Sequence, residues 1–466
     1  MEELKNYTFD DLNIGAAIEL NHAVTATDID MLSALSGDVA SFHAERSEVP
    51  PGAHAVQAVC AVAMLSNIIT RRLPGPGSVI VDQRLKAAGF IAQDDVLTAR
   101  LRVADKDEAD HTVLIEAHVL NQHGAQVLVG SLRVAPPGSR RRFDDPARAA
   151  FYVPRKNVFQ RLYDACEGIP PVTTAVVHPC DRDALLGPIE AARKGLIDPV
   201  LVGPEARIRA VAEAEGIDLS PYRIEPVAHS HEAAERAVAL AREGKVEALM
   251  KGSLHTDELM GAVVKSATGL RTARRVSHVF VLDVPAYPRM LLVTDAAINI
   301  FPEIEAKVDI VQNAVDLAHV LGIAEPRVAV LSAVETVTPK IQSTIDAAML
   351  CKMADRKQIT GCVIDGPLAF DNAVSEAAAK TKKIVSPVAG KADILLVPDL
   401  EAGNMVAKQL QYLAGADSAG IVLGARVPIV LTSRADPVAA RMASTAVMAL
   451  VAHYRRSGEI PLAHLS

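Results

Sequence analysis

The sequence predicts an α+β domain built on an antiparallel sheet, followed by two α/β lobes with mostly parallel sheets and a cleft between them. Two patterns predict this division. Before about residue 137, one apolar stretch precedes several runs in which polar and apolar residues alternate. From about residue 173, short β-rich runs alternate with amphipathic helical stretches, which is typical of βα units. Hydrophobic residues make up 50% of the chain but aromatic residues only 3%, a composition that suits helices packed on parallel strands.

The amino-terminal part contains one long apolar segment, residues 54–70. It is shorter than the roughly 20 residues of a membrane span, and it contains Gln57 and Asn67, so a buried helix is predicted. The strand-like runs that follow are separated by turn residues such as those at 123–124. We expect an antiparallel sheet around one helix, with strands at 78–90, 96–104, 112–121 and 126–135.

A proline-, glycine- and arginine-rich segment at residues 136–146 has the composition of a linker. The expected divisions are a first domain over 1–136, a linker over 137–150 and a second domain over 151–466. Strands are predicted at 174–178, 199–203, 248–251, 278–284, 290–294, 328–332, 361–365, 393–398, 420–423 and 428–432. Because so many strands exceed a comfortable single sheet, two lobes are expected. Their expected ranges are about 151–290 with 430–466, and about 291–429.

Charge and cysteine content restrict the class of protein. The net charge is −8, and the basic run at 140–142 lies in the expected linker, so nucleic acid and an anionic membrane surface are not expected partners. The five cysteines form no CxxC pair and no zinc spacing, which favours a reducing cytoplasm and no metal site. The amino terminus lacks the basic region and apolar core of a signal peptide. A cytoplasmic location is expected.

The most informative segment is the apolar strand at 428–432 and the turn after it. Ser433, Arg434 and Asp436 bring a hydroxyl, a cation and a carboxylate to one place. Parallel strands place ligands at their carboxyl ends, and Pro437 can start a following helix. A functional site is therefore predicted here. The structural alternative is an ordinary strand-to-helix turn capped by serine and aspartate.

Six motifs extend this prediction across about residues 150–460. They are LMKGSLHT at 249–256, VTDAAINIFP at 293–302, VLSAVE at 330–335, IDGPLAFD at 364–371, VPDLEAGN at 397–404 and VLTSRAD at 430–436. In this order they resemble the phosphate acetyltransferase and phosphate butyryltransferase family, with forms closer to the butyryl branch. The resemblance implies transfer of a short acyl group between coenzyme A (CoA) and inorganic phosphate, in a cleft between two α/β subdomains. It also implies a CoA thioester as substrate, no tightly bound cofactor and a homo-oligomer.

The resemblance implies roles for the residues of the turn. By matching positions, Arg434 would grip phosphate, for which a guanidinium fork is well suited. Ser433 would hydrogen-bond the developing oxyanion or a phosphate oxygen. Members of the acetyl branch have a carboxylate a few residues later, at the position of Ala440 here. We predict that Asp436, the nearest carboxylate, is the base for the CoA thiol, with helix capping as the alternative.

Residues elsewhere in the motifs are candidates for binding CoA or phosphate. Acetyl members place an arginine where this chain has Met260, and Lys251, Arg271 or Arg275 are candidates to supply the missing charge. Thr256 closes the same motif as Lys251. The alternative for Lys251 is a surface strand end.

Two further binding candidates come from motifs that follow predicted strands. Asp295 is a candidate binding residue, with a structural cap as the alternative. Gly403 and Asn404 are predicted to open a helix whose backbone N–H groups cradle an anion. The alternative is a left-handed turn with an asparagine cap.

The amino-terminal part, over about residues 8–135, has a resemblance of its own. The segment LSGDVASFH at 35–43 resembles the MaoC-like hot-dog hydratases that act on enoyl-CoA. The resemblance implies that Asp38 and His43 together activate a water molecule. Here Ala40 and Ser41 replace the usual Asn-Pro, and the segment at 53–55 lacks its usual glycine.

Three alternatives remain open. The hot-dog domain could serve only for CoA binding or dimerisation beside an active transferase. The whole chain could be a non-catalytic acyl-CoA sensor or scaffold. A metal- and NAD-dependent decarboxylating dehydrogenase is a third alternative, against which the sequence has no GxGxxG after its first strand and no close set of aspartates on one helix.

Overall fold

A computed structural model describes residues 3–36, 55–56, 59–144, 158–433 and 436–464. The chain divides into two compact units, Met1–Val153 and Pro154–Ser466. The predicted functional residues Asp38, His43 and Arg434 lie outside the described residues. Among the described residues, no helix is long and apolar enough to cross a membrane.

The first unit is built on a five-stranded antiparallel sheet. The elements in chain order are Glu3–Lys5 (β1), a 3₁₀ helix at Phe9–Asp11, Ala17–Ala23 (β2), Ala26–Ser36 (α1), Ala55–Val56 (β3), Val59–Arg71 (α2), Val79–Ala87 (β4), Ile91–Ala92 (β5), Val96–Asp107 (β6), Thr112–Leu120 (β7), Gln126–Ala135 (β8) and Arg142–Asp144 (β9). The large sheet has the order β2-β6-β7-β8-β4, and β1 pairs with β9. Part of the predicted linker is therefore a strand.

Helix α2 packs on this sheet because one of its faces is continuously apolar. Its buried side chains recur at helical spacing, and they are Cys60, Ala61, Met64, Leu65, Ile68 and Ile69. They join β6, β7 and β8 side chains in one core. The predicted helix and antiparallel sheet are confirmed. Strand β2 and helix α1 were not predicted, since β2 buries no residue fully and its apolar alternation is weak.

The second unit alternates strands and helices. Its elements are Val158–Ala165 (α3), Val172–Val177 (β10), Arg182–Arg193 (α4), Ile197–Gly203 (β11), Glu205–Ala214 (α5), Arg223–Pro226 (β12), Ser230–Arg242 (α6), Ala248–Lys251 (β13), Thr256–Val263 (α7), Ser277–Asp283 (β14), Leu291–Thr294 (β15), Ile304–Val320 (α8), Arg327–Leu331 (β16), Gln342–Asp355 (α9), Val363–Leu368 (β17), Phe370–Val374 (α10), Glu376–Thr381 (α11), Ile394–Leu396 (β18), Leu400–Tyr412 (α12), Asp417–Leu423 (β19), Ile429–Val430 (β20), Val438–Ser457 (α13) and a final 3₁₀ helix at Pro461–His464. Every strand predicted for this unit is present, and β12 was missed.

These strands form one hydrogen-bonded sheet of 11 strands, in the order β12-β11-β10-β13-β20-β19-β14-β15-β18-β16-β17. The five strands from β12 to β20 are parallel to one another, as are the four from β15 to β17. Antiparallel pairing through β19 and β14 joins the two groups. The mostly parallel α/β architecture is confirmed, but the strands form one sheet rather than two. The two lobes and their cleft stay a prediction.

The three antiparallel pairings reverse the strand direction between the two groups. The carboxyl ends of β10, β13 and β20 therefore lie at one end of the sheet, which we call the Ser433 edge. The carboxyl ends of β15, β18 and β16 lie at the opposite end, which we call the Asp295 edge. This reversal decides which predicted residues can share a site.

A buried ion pair joins two helices beside the sheet. Lys307 of α8 donates to Asp346 Oδ2 of α9 at 2.5 Å, and the two side chains are only 6% and 10% exposed. Asp346 also accepts from Gln342 at 2.8 Å, so both of its oxygens are bonded. Because the pair is buried, loss of either side chain would leave the other charge buried without a counter-ion, which is strongly destabilising.

We expect Lys307→Met to lower the free energy of unfolding by about 3–5 kcal/mol, because it leaves the Asp346 carboxylate buried without its cation. The double variant Lys307→Met with Asp346→Leu should recover most of the loss. Urea denaturation of the full chain measures both. Lys352→Met, at the exposed Lys352–Asp355 pair, is the control and should cost at most about 1 kcal/mol. Equal losses for Lys307→Met and the control would contradict this account.

Candidate functional site

The turn after β20 is closed by the carboxylate of Asp436. Asp436 Oδ2 accepts from the backbone N–H of Ser433 at 2.7 Å, and the carbonyl oxygen of Ser433 accepts from the backbone N–H of Asp436 at 3.2 Å. Leu431 and Thr432 are buried, whereas Ser433 is exposed. The turn therefore brings a serine out of the sheet and fixes its backbone from both sides.

The contacts of Asp436 exclude one of its two sequence-based expectations. Helix α13 has Pro437 at its N-cap with no side-chain cap, so the helix-capping alternative is wrong. Asp436 is 6% exposed, with one oxygen bonded to Ser433 and the other 3.8 Å from Nζ of Lys408. Its role as a base stays a prediction. What the contacts show is a carboxylate that closes the Ser433 turn.

Lys251 reaches the same turn from the neighbouring strand. It is the last residue of β13 and only 3% exposed, so the alternative of a surface strand end is wrong. Its Nζ donates to the carbonyl oxygen of Thr432 at 3.4 Å. The backbone packs closely at Gly252, the residue after Lys251, where a Cβ would collide with the carbonyl oxygens of Val177 and His178. Helix α7 then begins at Thr256, which is partly buried.

A buried histidine lies beneath this turn. His278 in β14 is 1% exposed and hydrogen-bonds to the backbone of Leu431, while its Nδ1 has no partner among the described residues. Gly420 of β19 leaves room for the ring, since a Cβ there would lie 2.9 Å from Nε2. Burial, and to a smaller extent the nearby charge of Lys408, lower the pKa of His278 to about 4, and the hydrogen bond to Leu431 opposes this shift. The ring is therefore neutral at physiological pH. Sequence reasoning missed it because a histidine inside an apolar strand carries no motif.

A cavity of about 500 Å³ opens beside the turn. Asp436 and Ala440 line it on one side, and the aromatic rings of Phe159, Tyr163 and Tyr412 line it on others. Ala440 is thus beside a cavity at the Ser433 edge, at the position where acetyl members are expected to have a carboxylate.

At the Asp295 edge, the carboxylate of Asp295 organises a loop. It accepts from the backbone N–H groups of Ala297, Ile298 and Asn299 at 3.0–3.1 Å and from the Asn299 side chain at 2.5 Å. Burial raises the pKa of Asp295, and these hydrogen bonds oppose the rise. This geometry corresponds to the structural alternative, in which the Asp295 carboxylate caps backbone N–H groups. Binding of a substrate by Asp295 stays a prediction.

The anion cradle predicted at Gly403 and Asn404 is wrong in its geometry. Helix α12 begins at Leu400, and its N-cap is Asp399, whose side chain accepts from the N–H of Ala402. Gly403 lies inside the helix with its N–H bonded to the carbonyl of Asp399, so neither a cradle nor a left-handed turn is present.

Packing explains the glycine at this position. A Cβ at Gly403 would lie 2.8 Å from the carbonyl oxygen of Asp295 and 3.0 Å from Cα of Ala296. Helix α12 therefore approaches the Asp295 loop closely, and the side chain of Asn404 donates to the carbonyl of Ala296 at 3.4 Å.

Three other candidates meet in a groove of about 970 Å³, which Met260, Arg271 and Arg275 line together. Nε of Arg275 donates to Oδ1 of Asn299 at 2.8 Å, so this arginine is tied to the Asp295 loop. Asn299 was not singled out, although its motif at 293–302 contained the signal. The groove therefore contains two of the predicted binding cations, Arg271 and Arg275. It also contains Met260, the position at which acetyl members have an arginine.

The sheet register separates the predicted residues into two sets. Val430, Ile421, Val279 and Thr294 lie at one level across β20, β19, β14 and β15. From that level β20 runs toward Ser433 and β15 runs the opposite way toward Asp295. Lys251, Ser433 and Asp436 therefore lie together at one edge. Asp295, Arg271, Arg275 and Gly403 lie at the other.

The sheet and the Ser433 turn define an α/β protein in which an exposed serine follows a strand end and a buried lysine contacts the residue before that serine. A family model described as phosphate acetyl/butaryl transferase matches residues 227–449. A phosphate acetyltransferase of Rhizobium meliloti is 64% identical over 302 residues, which span 65% of this chain and 96% of that protein. The chain belongs to this family.

Solved structures give two further comparisons. A branched-chain phosphotransacylase from Enterococcus faecalis V583 is 28% identical, with a TM-score of 0.53 over 60% of this chain and 99% of that one. The R-hydratase PhaJ1 from Pseudomonas aeruginosa is 22% identical over 32% of this chain and 98% of that one, with a TM-score of 0.30.

His278 should make stability depend on pH. Its folded-state pKa of about 4 lies below the usual 6.5, so protons bind preferentially to the unfolded chain between these values. Its contribution is full above pH 6.5 and should fall by roughly 3 kcal/mol as the pH drops to 4. Urea denaturation across this range measures the slope. His278→Gln should flatten it, whereas the control His123→Gln, in an exposed turn, should not. An unchanged slope in His278→Gln would show that the ring is not the group responsible.

Proposed function

We propose that the second unit transfers a short acyl group between CoA and inorganic phosphate. The observation that carries the proposal is the Ser433 turn, which holds an exposed serine at a strand end, with its backbone fixed by Asp436 and with Lys251 bonded to the preceding residue. Membership of the phosphate acetyl/butaryl transferase family supports the same reaction. The metal- and NAD-dependent dehydrogenase has no such support.

The reaction exchanges one bond for another at the acyl carbon. A phosphate oxygen attacks the thioester carbonyl carbon, a tetrahedral oxyanion forms, and the carbon–sulfur bond then breaks to release CoA thiolate. In the reverse direction the thiolate attacks the acyl phosphate and phosphate leaves. The protein must therefore bind a phosphate dianion and stabilise an oxyanion at the same carbon.

The residues of the turn suit these two tasks. Ser433 donates its hydroxyl hydrogen to the oxyanion, and Arg434, which follows it in sequence, binds the phosphate oxygens with its guanidinium fork. Lys251 adds a buried positive charge, since its ammonium is bonded to Thr432 immediately before the serine. Asp436 orients Ser433 through its backbone N–H.

The acyl group is short, and two observations favour different lengths. The relative that is 64% identical bears the name phosphate acetyltransferase. The sequence motifs resemble the butyryl branch, and the cavity of about 500 Å³ beside Ala440 offers apolar and aromatic walls for a longer chain. Rates with acetyl-, propionyl- and butyryl-CoA decide between them.

We expect Ser433→Ala to lower phosphate-dependent release of CoA by about 100-fold or more, the scale for losing an oxyanion donor. A thiol reagent follows the release, with and without phosphate. The control Ser457→Ala changes an exposed serine at the far end of α13 and should leave the rate unchanged. A wild-type chain that binds CoA but releases none from any of the three thioesters would replace the transferase with a sensor or scaffold.

A second candidate activity belongs to the first unit. We propose that it hydrates enoyl-CoA, adding a water oxygen to C3 and a proton to C2. The motif at 35–43 supports this proposal, and so does the packing of α2 on an antiparallel sheet. The alternative is a module that only binds CoA or dimerises, which would also supply the expected homo-oligomer.

We expect Asp38→Asn to abolish hydration of crotonyl-CoA in the full chain without changing phosphate-dependent CoA release, because the two units have separate cores. Loss of absorbance of the conjugated thioester measures hydration. No hydration by the wild-type chain, with transfer intact, would leave the first unit as a binding or dimerisation module.

A further inference from the structure

Arg441, in the first turns of α13, is a buried arginine that directly contacts the Ser433 turn. It is 2% exposed. Its Nη1 donates to the hydroxyl oxygen of Thr432 at 2.8 Å, and its Nη2 donates to the carbonyl oxygen of Ser433 at 3.1 Å. Nε is buried without a hydrogen-bond partner among the described residues. The guanidinium therefore binds both Thr432 and Ser433, which follow β20. Its Nε–H donor bonds to none of the described residues.

Among the residues that the structure describes, the charge of Arg441 has no close counter-ion. Within the described parts of the chain, no carboxylate oxygen forms an ion pair with its guanidinium within 4.0 Å. Asp181, Asp436 and Asp183 act on it only at longer range, and burial lowers its pKa. The contrast is Lys307, whose buried charge is matched by Asp346. A buried cation without a close counter-ion is costly, and a bound anion would supply the missing counter-charge.

The neighbouring helix is shaped to admit this side chain. Gly187 lies buried in the middle of α4, where a Cβ would lie 2.9 Å from Cδ and 3.1 Å from Cβ of Arg441. A glycine inside a helix costs about 1 kcal/mol relative to alanine. Two local destabilising features, the glycine in α4 and the buried charge in α13, therefore accompany the guanidinium beneath Thr432 and Ser433.

We propose that Arg441 is a positioning residue for phosphate. It holds the Thr432 hydroxyl and the Ser433 carbonyl in place, and its buried charge raises the affinity of the Ser433 turn for the phosphate dianion. The inference rests on the proposed transfer reaction and adds to it a second cation beside Lys251. Because water is excluded around Arg441, its field is weakly screened and acts on an anion bound at the exposed side of the turn.

A purely structural role for Arg441 predicts a different experimental result. If Arg441 only joins α13 to β20, its replacement lowers stability and leaves the kinetic constants of the folded protein unchanged. If it positions phosphate, the KM for phosphate rises while the KM for acyl-CoA does not. The split between the two KM values therefore separates the roles.

The test compares Arg441→Gln and Arg441→Lys in the full chain. For Arg441→Gln we expect the KM for phosphate to rise about tenfold or more and kcat to fall about tenfold, with the KM for acetyl-CoA within about twofold of wild type. Arg441→Lys keeps the charge but not the two-point contact, so it should recover much of the phosphate KM and little of kcat.

Two further variants complete the design. Arg455→Gln lies on the same helix and removes a comparable hydrogen bond, from Arg455 to the carbonyl of Arg426 at 3.1 Å, so it should leave all three constants unchanged. Gly187→Ala keeps Arg441 but displaces it, and should raise the phosphate KM in the same direction. If Arg441→Gln does not fold, Arg441→Lys and Gly187→Ala carry the test.

Binding of inorganic phosphate, measured by titration calorimetry, separates failure of this inference from failure of the proposed function. A wild-type chain that binds phosphate without transferring an acyl group would contradict the transfer reaction, and a weaker phosphate affinity in the Arg441 variants would still support the inference. Phosphate affinity and KM equal to wild type in Arg441→Gln, Arg441→Lys and Gly187→Ala would overturn it.

Discussion

Antiparallel pairing of β14 and β19 in the middle of the large sheet determines at which end of the sheet each candidate residue of the second unit lies. Without these two strands, all carboxyl ends would meet at one edge, as in an ordinary doubly wound sheet. With them, β15 and its neighbours run opposite to β20. The side chains that follow the strands are then divided between two edges, and each edge has a different chemical character.

The two edges differ in how far their polar groups are already satisfied. At the Asp295 edge, one carboxylate accepts four hydrogen bonds within its own loop, and α12 is packed against it through Gly403. At the Ser433 edge, Lys251 and Arg441 are buried, and they donate to backbone carbonyl oxygens and to the hydroxyl of Thr432. Two buried cations thus contact the turn at which Ser433 is exposed. This difference favours the Ser433 edge as the place where an anion binds.

The sequence predicted most of this fold because its strands are short, apolar and separated by clear helical stretches. All the strands named for the second unit are present, and the apolar helix packs on its antiparallel sheet. The single sheet could not be predicted, since strand direction depends on long-range pairing that leaves no local pattern. Ser433 and Lys251 were found through motifs, whereas His278 and Arg441 were not. Both missed residues are polar groups placed in apolar surroundings, where periodicity indicates only that a position is buried.

The separation of the two edges also changes how the arginines of the groove are interpreted. Arg271 and Arg275 were expected to replace a charge missing at Met260, and the structure places all three residues in one groove. That groove lies on the Asp295 side, and Arg275 is tied there to Asn299. In the register of the sheet, these arginines therefore lie toward the opposite end from Ser433. Under the proposed reaction, their charge suits the phosphates of CoA, which lie far from the reacting carbon, and the phosphate that accepts the acyl group is expected to bind at the Ser433 turn.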